Sequence, residues 1–347
     1  MKRLILMIAL AALAVLFTTG RQASHASEPA SVKEVVEKST ALLQTLGTPF
    51  IEQTGCVSCH NNSLPAMAVE FARMRGIKIN EQAVAEENRQ MLAVLDARRD
   101  RLWQGDSLPG ESETVSYLML GLSANRQTPN RTTDALVNFL LSRQERSGQW
   151  KLFTQSRPPL ESSDFNVTAF SLRALQLYGP QGRRTEIKQR VAEARQWLLN
   201  NEARTNEDRT FQLLGLHWSE APAATIRKLA EPLLAAQRAD GGWAQLPGME
   251  SDAYATGQAL VALHQAGGLP VNDAAYQRGV EYLRRTWQAD GSWHVRTRSF
   301  PIQKQFASGF PYERDQWISA AATSWAVMAL SLTLEPEVQA ETGRSGN

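Results

Sequence analysis

The stretch Gln237-Arg238-Ala239-Asp240-Gly241-Gly242-Trp243 recurs, altered, as Gln144-Glu145-Arg146-Ser147-Gly148-Gln149-Trp150 and as Gln288-Ala289-Asp290-Gly291-Ser292-Trp293. A degenerate copy reads Arg98-Arg99-Asp100-Arg101-Leu102-Trp103. Trp103 to Trp150 is 47 residues, Trp150 to Trp243 is 93 and Trp243 to Trp293 is 50. The middle interval is two periods, and its intervening turn, near Asn200 to Asn206, lacks the tryptophan. Such a period marks a repeat architecture, in which each unit buries its apolar face against its neighbours.

Working outward from the turns, each follows an amphipathic helix and leads into a more uniformly apolar one. The first set is expected at 31–46, 81–99, 130–144, 185–200, 222–237 and 272–287. The second is expected at 63–75, 111–125, 164–178, 207–217, 252–266 and 315–332. In 164–178 the apolar residues Phe165, Val167, Phe170, Leu172 and Leu175 point all round the helix, as on a helix enclosed on every side. Segment 272–287 instead carries Tyr276, Val280, Leu283 and Trp287 on one stripe, with Arg278, Glu281, Arg284 and Arg285 elsewhere. It reads as an outer helix with one wet face.

These turns resemble the Q-x-x-x-G-x-W repeats of the squalene-hopene cyclase, terpenoid cyclase and protein prenyltransferase superfamily. The resemblance implies an all-α fold, an (α/α)6 toroid of six helix pairs repeating about every 47 residues. Cyclases of the family protonate their substrate with a D-x-D-D cluster at the start of an inner helix. Here that place holds a single aspartate, Asp164, and Asp252 and Asp315 occupy the same phase in later repeats. Acids recurring at inner-helix starts read better as caps on the positive helix terminus than as catalysts, so the three are weak catalytic candidates. The zinc set of the prenyltransferases is not matched either.

A second motif is more specific. Gly55-Cys56-Val57-Ser58-Cys59-His60-Asn61-Asn62 holds both cysteines of the chain and fits C-x-x-C-H, the attachment pattern of c-type haem. Two thiols at this spacing suit the two vinyl groups of one porphyrin, and the adjacent imidazole suits its iron. A zinc site needs about four ligands, and no further cysteine exists to complete a cysteine-rich one. A redox dithiol would sit near a β-α-β pattern, of which the sequence gives no sign. A short disulfide stays as the competing reading.

The phase of the repeat puts this motif between an outer and an inner helix, at the mouth where the turns emerge, with no room for a separate cytochrome fold. His60 is the expected proximal ligand of one covalent haem c. The sixth ligand is sought first in His294, then in Met249 and Met67, with an open iron position as the alternative. The long segment from Trp293 to Asp315 is expected to act as a lid. Its aromatic residues would cover the porphyrin, and Arg296, Arg298 and Lys304 are the candidate propionate partners.

Lys2-Arg3 ahead of the apolar run Leu4 to Phe17 and the exit Ser24-His25-Ala26 read as a secretory signal over residues 1–26, giving a periplasmic or secreted protein. A retained N-terminal anchor is the lesser alternative; the apolar run is short for a span, so none is expected after cleavage. The toroid is expected over 27–334, followed by a polar tail at 335–347. A formal net charge of +2 and the absence of a basic run give no reason to expect nucleic acid.

Three functions remain open. The first is an exported haem-c protein for electron transfer, with a partner protein. The second is an enzyme, haem-dependent or cyclase-like, acting on a terpenoid or other lipid in the toroid. The third is a plain interaction domain. A barrel sealed by Phe165, Phe170, Phe211, Tyr254 and Trp317 would argue against a lipid inside it.

Overall fold

The structure, a computed structural model, describes residues 30–106, 108–153, 157–301 and 306–336. The signal segment, Lys304 and residues 337–347 of the polar tail lie outside the described residues. Six helices form an inner ring: α3 (Leu64–Arg73), α6 (Glu111–Ala124), α8 (Asp164–Tyr178), α10 (Asn206–Trp218), α12 (Ala253–Gln265) and α14 (Gln316–Ser331). Each packs on the next, and α14 returns to α3. The outer helices are α1 (Val32–Leu43), α4 (Glu81–Asp96), α7 (Arg131–Arg143), α9 (Arg184–Asn200), α11 (Ala223–Ala235) and α13 (Ala274–Thr286). Two short helices, α2 (Gly47–Thr54) and α5 (Arg99–Trp103), complete the set. The described residues contain no β-strand, and the expected all-α toroid is what the chain forms.

The turns work by one repeated bonding scheme. The indole N–H of Trp150, Trp243 and Trp293 donates to the carbonyl ten residues earlier, that of Leu140, Leu233 and Leu283, at 2.8, 2.7 and 2.8 Å. The backbone N–H of each tryptophan donates to a threonine of the following inner helix, Thr168, Thr256 or Thr323, at 3.1, 2.9 and 3.1 Å. Each tryptophan thus ties the end of an outer helix to the next inner one, and all three are buried.

The glutamine adds the link between repeats. Gln144 donates to Gly148 O (2.7 Å) and to Arg190 O of α9 (2.8 Å). Gln237 does the same to Gly241 O (2.9 Å) and Ala275 O of α13 (2.7 Å). The glycine is required twice over at Gly241, where φ is +88° and a Cβ would stand 2.4 Å from the carbonyl oxygen of Arg278.

One turn assignment needs correction, and the turn without tryptophan shows its substitute. Trp103 ends the helix α5 and is 49% exposed, so the Arg98–Trp103 stretch is not a repeat turn. At the turn without tryptophan, Gln212 of α10 reaches Leu198 O at 2.7 Å and Asn201 O at 3.1 Å. An amide from the inner helix therefore supplies the donor that an indole supplies elsewhere.

Ring closure joins residues about 250 positions apart. Trp287 donates its indole N–H to Ser39 Oγ at 3.1 Å, Arg284 donates to Ala30 O at 2.9 Å, and Lys38 donates to Ala289 O. The centre of the ring is filled rather than hollow. Tyr117, Phe170, Phe211 and Trp325 are buried and meet edge to face in sequence, with centroids 4.6, 5.1 and 6.2 Å apart.

Candidate functional site

The open space lies at one mouth of the toroid, as a cavity of about 700 Å³. Its walls come from Phe50 and Cys56 to Asn61, from Gly110 and Thr114 at the start of α6, from Arg157 and Glu161 before α8, and from Gln316 and Trp317 at the start of α14. The segment from Thr297 to Pro301, with Phe306 and Arg314, closes the remaining side.

The C-x-x-C-H segment is held there by local chemistry. Helix α2 ends on Gly55 in the left-handed region at φ +61°, and Cys56 N donates to Thr54 Oγ1 at 3.1 Å. Residues Cys59–Ser63 then make one wide π-helical turn that runs into α3. Ser58 Oγ caps the turn by accepting from Asn61 N at 3.0 Å, and Asn62 Oδ1 accepts from Ser58 N at 2.9 Å. Asn62 also donates to Glu87 of α4 at 2.9 Å. Gly121 of α6 lets the turn approach, since a Cβ there would stand 2.8 Å from Ser63 Cα.

Both thiols are free, Cys56 half-buried and Cys59 buried. Burial pushes the Cys59 thiol up, assisted by the carboxyls of Glu113 and Glu161. His60 is buried, and desolvation together with the charge of Arg157 brings its pKa down to about 3, so the ring is neutral. Its face meets Trp317 edge-on at 5.8 Å and Phe50 at 6.4 Å. A neutral imidazole is the form that ligates metal. The donor set, two free thiols and one neutral imidazole on one cavity wall, fits a covalently held haem. No group of three or more His, Cys, Asp or Glu among the described residues is placed to hold a bare metal ion.

The other candidates lie elsewhere. His294 is exposed, bonds Asp315 Oδ2 at 2.9 Å and stacks on Tyr312 at 4.4 Å. Neither it nor Met249 nor Met67 lines the cavity. Arg296 is exposed, and Arg298 turns inward to Gln245 Oε1 at 2.8 Å, so neither is a cavity residue. Asp164, Asp252 and Asp315 do not line it either. Asp252 is the N-cap of α12, accepting from Ala255 N at 2.9 Å, and burial raises its pKa to about 6. The cap of α8 is Ser163, with Asp164 following it and accepting from Leu152 N at 3.1 Å. Asp315 accepts from Thr297 N at 2.9 Å and secures the loop.

Behind the cavity floor is a feature the sequence did not disclose. Glu113 of α6 is buried with neither carboxyl oxygen hydrogen-bonded, and desolvation, then Glu161 and Glu207, hold its pKa well above the carboxylate range. Glu207 of α10 accepts from Tyr254 Oη at 3.0 Å, and burial raises it to about 8. Both stand in the first turn of their helices, where a sequence reading sees only acids suited to the helix dipole.

The fold and its turns define a terpene-cyclase-like α/α toroid. Residues 207–345 match the family model of the squalene-hopene cyclase C-terminal domain. Drimenyl diphosphate synthase of Streptantibioticus cattleyicolor is 36% identical over 78 residues, which are 22% of this chain and 14% of that enzyme. The chain therefore matches only a small part of that relative's length.

In structure, the type II terpene cyclase MstE from Scytonema superposes with TM-score 0.56 at 14% identity, covering 86% of this chain and 97% of the other. A variant of it in complex with merosterolic acid A gives 0.57 at 13% identity, covering 87% and 96%. A possible GH105-family member from Klebsiella pneumoniae gives 0.53 at 14% identity, covering 94% and 99%. These structural likenesses are ones of fold.

Proposed function

We propose that this is an exported haem-c protein whose toroid scaffolds a redox or small-molecule site at its mouth. One observation carries the reading: Cys56, Cys59 and His60 all line the mouth cavity. Cys56 and Cys59 would hold the porphyrin through thioether bonds, and His60 would take the proximal side of the iron. A haem so bound would supply one-electron chemistry.

The filled toroid centre argues against a lipid substrate deep inside the ring, where a cyclisation would need space. None of the sixth ligands sought, His294, Met249 and Met67, lines the cavity, so an open iron position is the alternative carried into the test. The filled centre favours the enzyme alternative in its haem-dependent form, with an apolar reactant between Phe50, Trp317 and Phe306. The cyclase form keeps the support of the relatives above, and of the buried carboxyl of Glu113, whose oxygens have no hydrogen-bond partner and whose pKa burial holds well above the carboxylate range.

The test is expression in cells that mature c-type cytochromes, followed by acid-acetone extraction and a pyridine haemochrome spectrum. The expected result is haem that resists extraction in the parent and is lost in Cys56→Ser with Cys59→Ser, and a reduced spectrum that changes on adding carbon monoxide. Extractable haem or none refutes the reading and leaves the cyclase alternative.

A further inference from the structure

The cavity has a cationic end that neither Arg296 nor Arg298 provides. Arg157 enters from the turn before α8 and is pinned by two backbone bonds, Arg157 N to Glu161 O at 3.2 Å and Glu161 N to Arg157 O at 3.1 Å. Its guanidinium lies 5.8 Å from the ring centroid of Trp317, the residue that walls in His60. Its side chain is 21% exposed and stands 3.4 Å from Glu161 Oε1, itself a cavity residue whose pKa burial raises. The Nε of Arg157 is buried and donates to nothing. With Nε buried, a ligand in the cavity meets the guanidinium through the part of the side chain that remains exposed. Arg314, exposed and also lining the cavity, donates to Ser299 O at 3.4 Å.

We propose that Arg157, supported at the rim by Arg314, is the carboxylate-binding end of the mouth cavity and receives the acid group of a bulky apolar ligand. Resting on the haem reading, that acid is a porphyrin propionate. The guanidinium takes it from the side stacked on Trp317, and its charge offsets that of the entering carboxylate beside Glu161. The same chemistry would serve a lipid acid, so the two sources must be told apart.

Full-length protein made without haem maturation is titrated with mesoporphyrin IX, with its dimethyl ester and with palmitate, by fluorescence. The parent is expected to bind mesoporphyrin about 10- to 100-fold tighter than the ester, the ratio one charge-assisted bond gives. Arg157→Gln should erase most of that ratio, and Arg157→Lys should keep part of it. The ester comparison on the parent needs no substitution, so a folding defect cannot mimic the result. Equal binding of acid and ester, or binding of no probe, overturns the carboxylate site even if covalent haem is present. Palmitate bound in an Arg157-dependent way, with no porphyrin bound, keeps the site and removes the haem reading.

Discussion

Replacing Glu207 by Gln should change how the stability of this protein depends on pH. Glu207 is buried at the start of α10, and desolvation lifts its pKa from 4.5 to about 8, against smaller opposing effects from Tyr254, Gln258 and Arg298. Its folded pKa is raised above the unfolded value. As pH rises above about 4.5 the unfolded chain releases a proton that the folded chain keeps, and stability falls until the folded group also ionises near pH 8. At about 1.4 kcal/mol per pH unit, the penalty is roughly 3 kcal/mol at pH 7 and between 4 and 5 kcal/mol above pH 8. A glutamine keeps an oxygen to accept from Tyr254 and carries no charge at any pH.

Urea unfolding of parent and Glu207→Gln at pH 5 and pH 8 measures the difference. The loss of stability between those pH values should be smaller in the variant by about 3 kcal/mol, or about 1 M urea in the midpoint difference. Asp252, raised to about 6, and Glu87, raised to about 7, contribute a slope of the same sign to both proteins and cancel in the comparison. Parallel pH profiles would refute the argument, since they would mean that Glu207 is ionised in the folded ring.

Other expectations concern the turns and the C-x-x-C-H seat. Trp243→Phe removes the indole donor to Leu233 O, leaving it only the 3.3 Å bond from Ala236 N, and should cost about 1–3 kcal/mol by thermal unfolding. Gln212→Leu should cost about as much, because Gln212 replaces a turn tryptophan; a neutral result would show that Leu198 O finds water instead. Gly121→Ala improves helix propensity by about 1 kcal/mol yet drives a methyl against Ser63 Cα, so it should lower stability by up to about 2 kcal/mol. An unchanged or higher melting temperature would show that the π-helical turn has room to move.

Much of this was readable in the chain. The twelve paired helices fall within a few residues of the segments expected from periodicity, because the Gln, Gly and Trp of each turn carry their partners with them at fixed spacing. Where the spacing was only approximate the reading failed. Arg98–Trp103 has the tryptophan but neither the glutamine nor the glycine, and it folds as the helix α5. The site was half legible: C-x-x-C-H is a local pattern, whereas the residues facing it come from segments up to about 250 positions away. His294 shared the right mouth by phase, but pairing with Asp315 and stacking on Tyr312 hold it elsewhere.

The sequence by itself determined the class of fold, the number of repeats and the seat of the two cysteines and His60, since each rests on interactions within one turn or one helix period. The tertiary structure alone decided that the ring centre is filled, that the space lies at the mouth, and that Arg157 faces it while Arg296 and Arg298 do not. It also decided that Glu113 and Glu207 lose their water. Burial of a charge depends on which helices surround it, and that follows only when α14 closes on α3 and the six inner helices become each other's solvent.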